Sequence, residues 1–399
     1  MDYDTMFFLS FFFVCFFFPI FVYPYDQTRY WMFLYEYNEN LISKGTALSL
    51  LGVASYMTGS VFYKSKNISR TNSRGQYTDT TLIGGLSVFG FICYIVTGGY
   101  SALINMYKGE GAVSGVGQYF FIIAYVGIFC MIIAWQYNSY IKSGNFKLLS
   151  IPPYWIAYIV MFIFLMLYSG SRGKVINIAL LSLGVYSCLF RPFSLKKVAV
   201  LSVIGIIFMF SIVLYRSNGS ENVGQFADVV MDLMINSRNT YAVMEYVDEN
   251  GFSFGRSMLG YTLAVIPFAQ NVIFSLFNID PDTVSSSLII TKETIGTTSE
   301  VGLGTTVIAD LYLAFGEIGV ICGMAALGLF ISYTLENSKK NIYALIAYGI
   351  MMCFAVYQPR SEIFFSLRVL IWSLAIMNIS RLHPIKIRFG KNEKSLNSV

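Results

Sequence analysis

The sequence is short of charge: Asp, Glu, Lys and Arg make up only 12% of its 399 residues, about half the share of a soluble domain. With 56% of residues hydrophobic and a mean hydropathy of +0.61, too little polar surface remains to cover a water-facing globule. Histidine occurs once, at His383 near the C-terminus, so the rest of the chain has no imidazole base or metal ligand. The six cysteines, Cys15, Cys93, Cys130, Cys188, Cys322 and Cys353, all lie in apolar runs and form no C-x-x-C pair. They read as small buried hydrophobes, not as a disulfide or metal set. There is no P-loop, no H-E-x-x-H and no G-x-S-x-G. Asp280-Pro281-Asp282 has the D-x-D form of a metal-dependent sugar transferase, but Asp and Pro at that spacing also build an ordinary turn.

What fills the sequence instead is apolar and aromatic. Phe and Tyr number 35 and 29, a composition suited to lipid-facing rings and interfacial belts. Ten apolar stretches approach the roughly 20 residues that cross a bilayer. They lie near 6–23, 45–63, 81–97, 117–136, 151–168, 175–190, 197–215, 305–333, 342–358 and 364–380. The first has acidic residues Asp2 and Asp4 before it, no basic flank and no small-residue cleavage site, so it reads as a retained helix. The pattern predicts an all-α polytopic membrane protein of about ten transmembrane helices. Its parts are a bundle of about seven spans over 1–215, a large loop over 216–304, about three spans over 305–380, and a basic tail over 381–399.

Charge placement orients the bundle. With the N-terminus inside, the segments assigned to the cytoplasm hold 16 of the 27 basic residues, although the opposite side includes the 89-residue loop. That bias predicts both termini cytoplasmic and the loop periplasmic. Residues 257–279 are apolar enough to cross, but crossing would invert the bias. Pro267, Gln270 and Asn271 at their centre suit a broken helix, re-entrant or lying at the interface.

Basic residues differ in kind across the two sides. Inside, 11 Lys outnumber 5 Arg; outside, 7 Arg outnumber 4 Lys. Lysine inside answers topology and anionic lipid. Arginine outside supplies a planar fork of donors for phosphate oxygens that stays charged at any working pH. Arg172, Arg238, Arg256, Arg360 and Arg368 therefore point to an anionic, phosphorylated ligand at the outer boundary. Each also has a structural reading. Arg172, flanked by Gly170 and Gly173, could snorkel at a helix end. Arg238 falls at the edge of an apolar helical face (Phe226, Val230, Leu233, Tyr241, Met244), with Glu245 two turns on as an ion-pair partner. Arg256 and Arg360 could serve as anchors.

Carboxylates at the loop's exit are the candidates for proton transfer: Glu300, and Asp310 inside an apolar span, where a charge is costly. Asp310 and Glu317 are seven residues apart and fall near one helical face. Gly316, Gly319 and Gly323 form a small-residue face suited to helix packing.

Together these features resemble the Wzy-type O-antigen polymerases, or oligosaccharide repeat unit polymerases. The matching pieces are Gly170-Ser-Arg-Gly173, the long loop with Arg238, Phe252-Ser-Phe-Gly255-Arg256 before Ile266-Pro267, and Ala309-Asp310-Leu-Tyr312-x-x-Phe315-Gly316-x-x-Gly319. The resemblance implies a GT-C-like fold in the bacterial inner membrane. It implies a processive, metal-independent glycosyltransferase moving a growing glycan from undecaprenyl pyrophosphate onto a lipid-linked repeat unit at the periplasmic face. Arg172, Arg238, Arg256 and Arg360 would hold the pyrophosphate, and Asp310 or Glu300 would take the acceptor's proton. Donor and acceptor glycolipids, the bilayer and a chain-length regulator of the membrane are the expected partners; no cofactor and no nucleic acid is expected. Two rivals use related lipids: an O-antigen ligase, against which the missing outer histidine counts, and a lipid-linked oligosaccharide flippase, which would have more spans and shorter loops.

Overall fold

A computed structural model of the chain describes residues 2–24, 39–63, 77–105, 115–146, 151–194, 196, 200, 236–296 and 302–382. Among these residues the protein is helical, with no strand. Four helices open the chain: α1 (Tyr3–Phe11), α2 (Glu39–Phe62), α3 (Thr80–Tyr94) and α4 (Tyr100–Asn105). The bundle continues with α5 (Val116–Ser143), α6 (Pro153–Tyr168) and α7 (Arg172–Leu189). The loop region carries α8 (Ser237–Asn250), α9 (Leu259–Leu263), α10 (Ala269–Phe277) and α11 (Ser286–Ile295). Last come α12 (Val307–Asn337), α13 (Ile342–Phe354) and α14 (Leu367–Leu382).

Among the described residues, five helices are long and apolar enough to cross a membrane: Tyr3–Val22, Asn40–Phe62, Thr80–Leu103, Val116–Ser143 and Val307–Asn337. Three shorter apolar helices, Pro153–Tyr168, Gly173–Leu189 and Ile342–Phe354, fall at expected spans, as does α14. The expected span at 197–215 lies outside the described residues, apart from Val200. The first span continues past α1 as a wider π-wound stretch, Phe12–Val22, that accommodates Pro19, a residue unable to donate in a regular ladder. The third is broken at Thr97 and Gly98 (φ 96°) before α4.

α5 is the central post, buried on every side from Ala124 to Asn138. It packs on α3, α7, α13 and α14, and most of its few polar side chains find partners, as an apolar interior demands. Asn138 exchanges bonds with the Thr78 backbone at 2.7 and 3.0 Å, and the Gln136 amide donates to Ser182 O at 3.0 Å. Small residues let α2 and α12 approach closely: side chains on Gly59 or Gly328 would collide with the backbone opposite.

α12 is not one straight helix. Phe315 (φ −145°) and Gly316 (φ 65°, ψ −150°) leave helical geometry, and the turns before them fold back along the rest. Leu311 consequently lies against Gly319 and Gly323 of the same helix. Residues 317–337 still reach about 30 Å at 1.5 Å per residue, so Val307–Ala314 form a separate half-helix beside the span. This revises the sequence expectation for the glycines, which accommodate the helix's own start. It also separates Asp310, which is buried, from Glu317, which is exposed beyond the break.

Above the half-helix, α8 and α11 pack on it through Val243, Val247, Ile289, Ile290, Ala309 and Leu313. The 257–279 stretch is broken, as Pro267 suggested. α9 and α10 are joined by a turn whose Phe268 takes φ 64°, and the nine residues of α10 span only about 14 Å. That turn is fixed on an aromatic platform: Trp372 Nε1 donates to Val265 O at 2.8 Å, and Tyr119 accepts from Phe268 N at 3.0 Å.

Candidate functional site

Asp310 sits one turn into the half-helix, which Thr306 caps by accepting from Ala309 N at 3.0 Å. Its carboxylate is fully buried. Oδ2 accepts from Ile363 N at 3.0 Å, so the residue is clamped to the turn between α13 and α14. Next to Ile363 stands Glu362, only 3% exposed. Glu362 Oε1 accepts from Ser285 Oγ at 2.5 Å, Ser287 N at 3.2 Å and Ser286 Oγ at 3.4 Å. These donors form the start of α11, whose dipole favours an acidic side chain there. The Ser286 hydroxyl is also within reach of Asp310 and lies 3.2 Å from Thr305 Oγ1. Gln358 braces the turn, its Nε2 donating to Glu362 O and Ile363 O at 3.3 Å each.

Two carboxyls are thus buried together, and one oxygen of each, Asp310 Oδ1 and Glu362 Oε2, has no hydrogen-bond partner among the described residues. Burial pushes the Glu362 carboxyl above the usual glutamate range, against the pull of the serine donors. Tyr261, on α9, flanks the pair. Burial, then the negative field of Glu362, push its phenol up to about 12, while Arg368 pulls the other way.

The arginines divide. Arg360, half-buried in the Gln358–Arg360 turn, stands two residues before Glu362 with its guanidinium 5.8 Å from the Tyr357 ring centre. Tyr357 in turn abuts Gly173, which brings the start of α7, and so the backbone of Arg172, to the same end of the bundle; the Arg172 side chain lies outside what is described. Gly170 (φ 77°) closes α6, so of the two flanking glycines one makes a turn and the other admits Tyr357. Arg256 is exposed. Its turn is tied to the half-helix by Ser253 N, which donates to Leu313 O at 2.8 Å. Arg238 is 2% exposed, because α8 buries that side against α2 and α12. Its expected neighbours Phe226, Val230 and Leu233 lie outside the described residues, as does Glu300. At Asp280 the turn reading prevails: its side chain accepts from Asp282 N at 3.0 Å, and Asp282 pairs with Lys292 at 3.4 Å in solvent.

Sequence reasoning missed Glu362, Tyr261 and Ser285–Ser287. One signal for Glu362 was available, a carboxylate lodged between two apolar runs beside Gln358-Pro359-Arg360.

An apolar helical bundle with a broken span and acids buried at the break is a multi-pass membrane protein with an internal polar site. The chain belongs to the O-antigen polysaccharide polymerase Wzy family, whose model it matches over residues 3–391. Among curated proteins and solved structures, no match is found. Membership supports a polysaccharide polymerase, an enzyme of the glycosyltransferase kind working in a membrane on lipid-linked oligosaccharides.

Proposed function

We propose that this protein lengthens O-antigen or a related surface polysaccharide at the periplasmic face of the bacterial inner membrane. It transfers the growing glycan from undecaprenyl pyrophosphate onto a single lipid-linked repeat unit. The observation that carries this reading is Asp310, buried in a half-helix at the break of an apolar span with Arg360 on the adjoining turn.

The chemistry asks little beyond placement. A hydroxyl of the acceptor sugar attacks the anomeric carbon of the donor, the bond from that carbon to the phosphate oxygen breaks, and the electron pair leaves with the pyrophosphate. Pyrophosphate leaves readily when cations stand where its charge develops. Arg360, with Arg172 and Arg256 at the same end, supplies those charges without a metal. Asp310 Oδ1 takes the proton of the attacking hydroxyl. Arg238, buried under α8, supports the site from within. The exposed apolar side chains of α10, Val272, Leu276 and Phe277, rest on the outer leaflet, where the prenyl carriers lie. Both termini are cytoplasmic, and a regulator of chain length acts from the same membrane. Holding two lipid-anchored sugars in register supplies much of the rate.

A clean deletion tests the reading by gel analysis of surface glycolipid. Core bearing one repeat unit is the expected product; core bearing none points to ligation or flipping and overturns it.

A further inference from the structure

A half-buried arginine needs acceptors, because it cannot shed its charge and carries a fork of donors. Arg360 and Arg381 lie over the Tyr357 and Tyr343 rings at 5.8 and 5.4 Å. Arg368, in the first turn of α14, is half-buried too. Yet among the described residues its guanidinium has no hydrogen bond, ion pair or ring contact. Glu362, the acid nearest to it along the chain, is engaged by the donors of α11 instead.

The surroundings of Arg368 are rigid. Phe365, Arg368 and Trp372 recur at helical spacing and share one face. Phe365 meets Tyr261 of α9 with ring centres 5.8 Å apart, and Trp372 stacks on Tyr119 of α5 at 6.1 Å. Arg368 stands between these contacts, and both tyrosine hydroxyls lie in its field. The turn between α9 and α10 is fixed on the same side by the bonds of Trp372 and Tyr119 to Val265 and Phe268. Beyond that turn α10 presents Val272, Leu276 and Phe277 outward. An unpaired cation beside an exposed apolar helix fits a ligand with one strongly anionic end and one long apolar end. Tyr261 lies in the field of Glu362 and Asp310 as well, so the anionic end would rest on the flank of the acid pair.

We propose that Arg368 binds the diphosphate of the donor lipid, whose prenyl chain runs along the apolar side of α10. This rests on the polymerase reading and adds a residue to its set of cations. Bonding decides between the two lipids. In the donor, the diphosphate is attached to the carbon under attack; in the acceptor, a whole repeat unit separates it from the attacking hydroxyl. A cation linked to the buried acids through one tyrosine stands near the reacting carbon. As the new glycosidic bond forms, the bond from that carbon to the phosphate oxygen breaks. Its electron pair passes to the diphosphate, which gains one negative charge, and the hydroxyl proton passes to the acid pair. Arg368 is in place where that charge develops.

The test is binding of radiolabelled farnesyl diphosphate, a short prenyl diphosphate, to the full chain in lipid nanodiscs, with empty nanodiscs as the blank. Arg368→Met should lower the affinity about ten- to a hundredfold, the loss of one charge-assisted contact. Arg368→Lys keeps the charge without the fork and should lower it by about tenfold; it serves alone should Arg368→Met fail to accumulate. Lys292→Met removes a cation paired with Asp282 in solvent and should bind as the wild type does. Inorganic diphosphate, lacking the apolar end, should compete at least about tenfold more weakly than farnesyl diphosphate.

Wild-type affinity in either Arg368 variant, or equal competition by inorganic diphosphate, overturns the proposal. In proteoliposomes with lipid-linked repeat units, Arg368→Lys should lower kcat for glycan extension even at saturating lipid. An unchanged kcat with a raised KM would put Arg368 on the acceptor and overturn the donor assignment. If the wild type binds farnesyl diphosphate but makes no ladder, it is the polymerase reading that fails.

Discussion

The Tyr357 hydroxyl lies 2.8 Å from the point where a β-carbon on Gly173 would stand, so the residue beside Arg172 and the ring beneath Arg360 share one contact. A methyl group at Gly173 has to push the phenol aside, and Arg360 moves with the ring. Gly173→Ala is expected to lower polymer synthesis roughly ten- to a hundredfold, the scale of a displacement near 1 Å at a positioned group. Removing the obstructing oxygen should restore part of the loss. In gel ladders, Gly173→Ala/Tyr357→Phe should therefore run closer to wild type than Gly173→Ala alone; a double variant no better than the single would show that the contact carries no function.

The arginines should separate by what their loss does to the protein. Arg238 is buried among α2, α8 and α12, and removing a buried charge strands whatever compensates it, at a cost of about 3–5 kcal/mol. Arg238→Ala is expected to lower the amount of protein in the membrane. Arg360 is half-buried on a turn, so Arg360→Ala should accumulate normally and still fail to extend glycan. Immunoblots of membranes beside glycolipid gels check both; full accumulation of Arg238→Ala would contradict its structural role.

How much of this could be read from sequence depended on the range of the interaction. Spans were legible because lipid imposes long apolar runs, and Asp310 stood out because a charge within such a run is costly. Helical periodicity then failed between Asp310 and Glu317, since it assumes an unbroken helix and Gly316 breaks this one. Glycine alone does not announce a break: Gly319 and Gly323, nearby, remain helical. The pairing of Asp310 with the turn at Glu362–Ile363 joins residues about fifty apart. Nothing local to either segment encodes that meeting. The depth of Arg238 was not legible for a related reason, because its burial depends on how α8 sits against α2 rather than on its own apolar stripe.

Gly316 offers a direct handle on the half-helix. Its φ of 65° with ψ −150° lies where essentially only glycine is found, costly for a β-carbon by about 1–3 kcal/mol, and an added methyl would stand 2.9 Å from the Phe252 ring. Gly316→Ala is expected to lower the unfolding temperature in detergent and to drive Phe315–Gly316 towards helix. Straightening withdraws Asp310 from Ile363, so activity should fall by more than the lost stability explains. Gly302→Ala, at an exposed position with open space around it, is the control that should change neither.

Glu362 should also leave a signature in stability, separate from rate. Burial raises its carboxyl in the folded protein above the unfolded value, about 4.3. Below that value both states are protonated and burial of the neutral acid is at its most favourable. As pH rises past it, the unfolded chain ionises first, and folded stability falls until the folded group ionises too, by at most about 1.4 kcal/mol per pH unit. Tyr261, pushed up to about 12, adds nothing over this range. Thermal unfolding in detergent between pH 4 and 8 should therefore show Glu362→Gln gaining on the wild type as pH rises. A constant gap between the two would mean that Glu362 ionises in the fold as readily as in water, contrary to the effect of its burial.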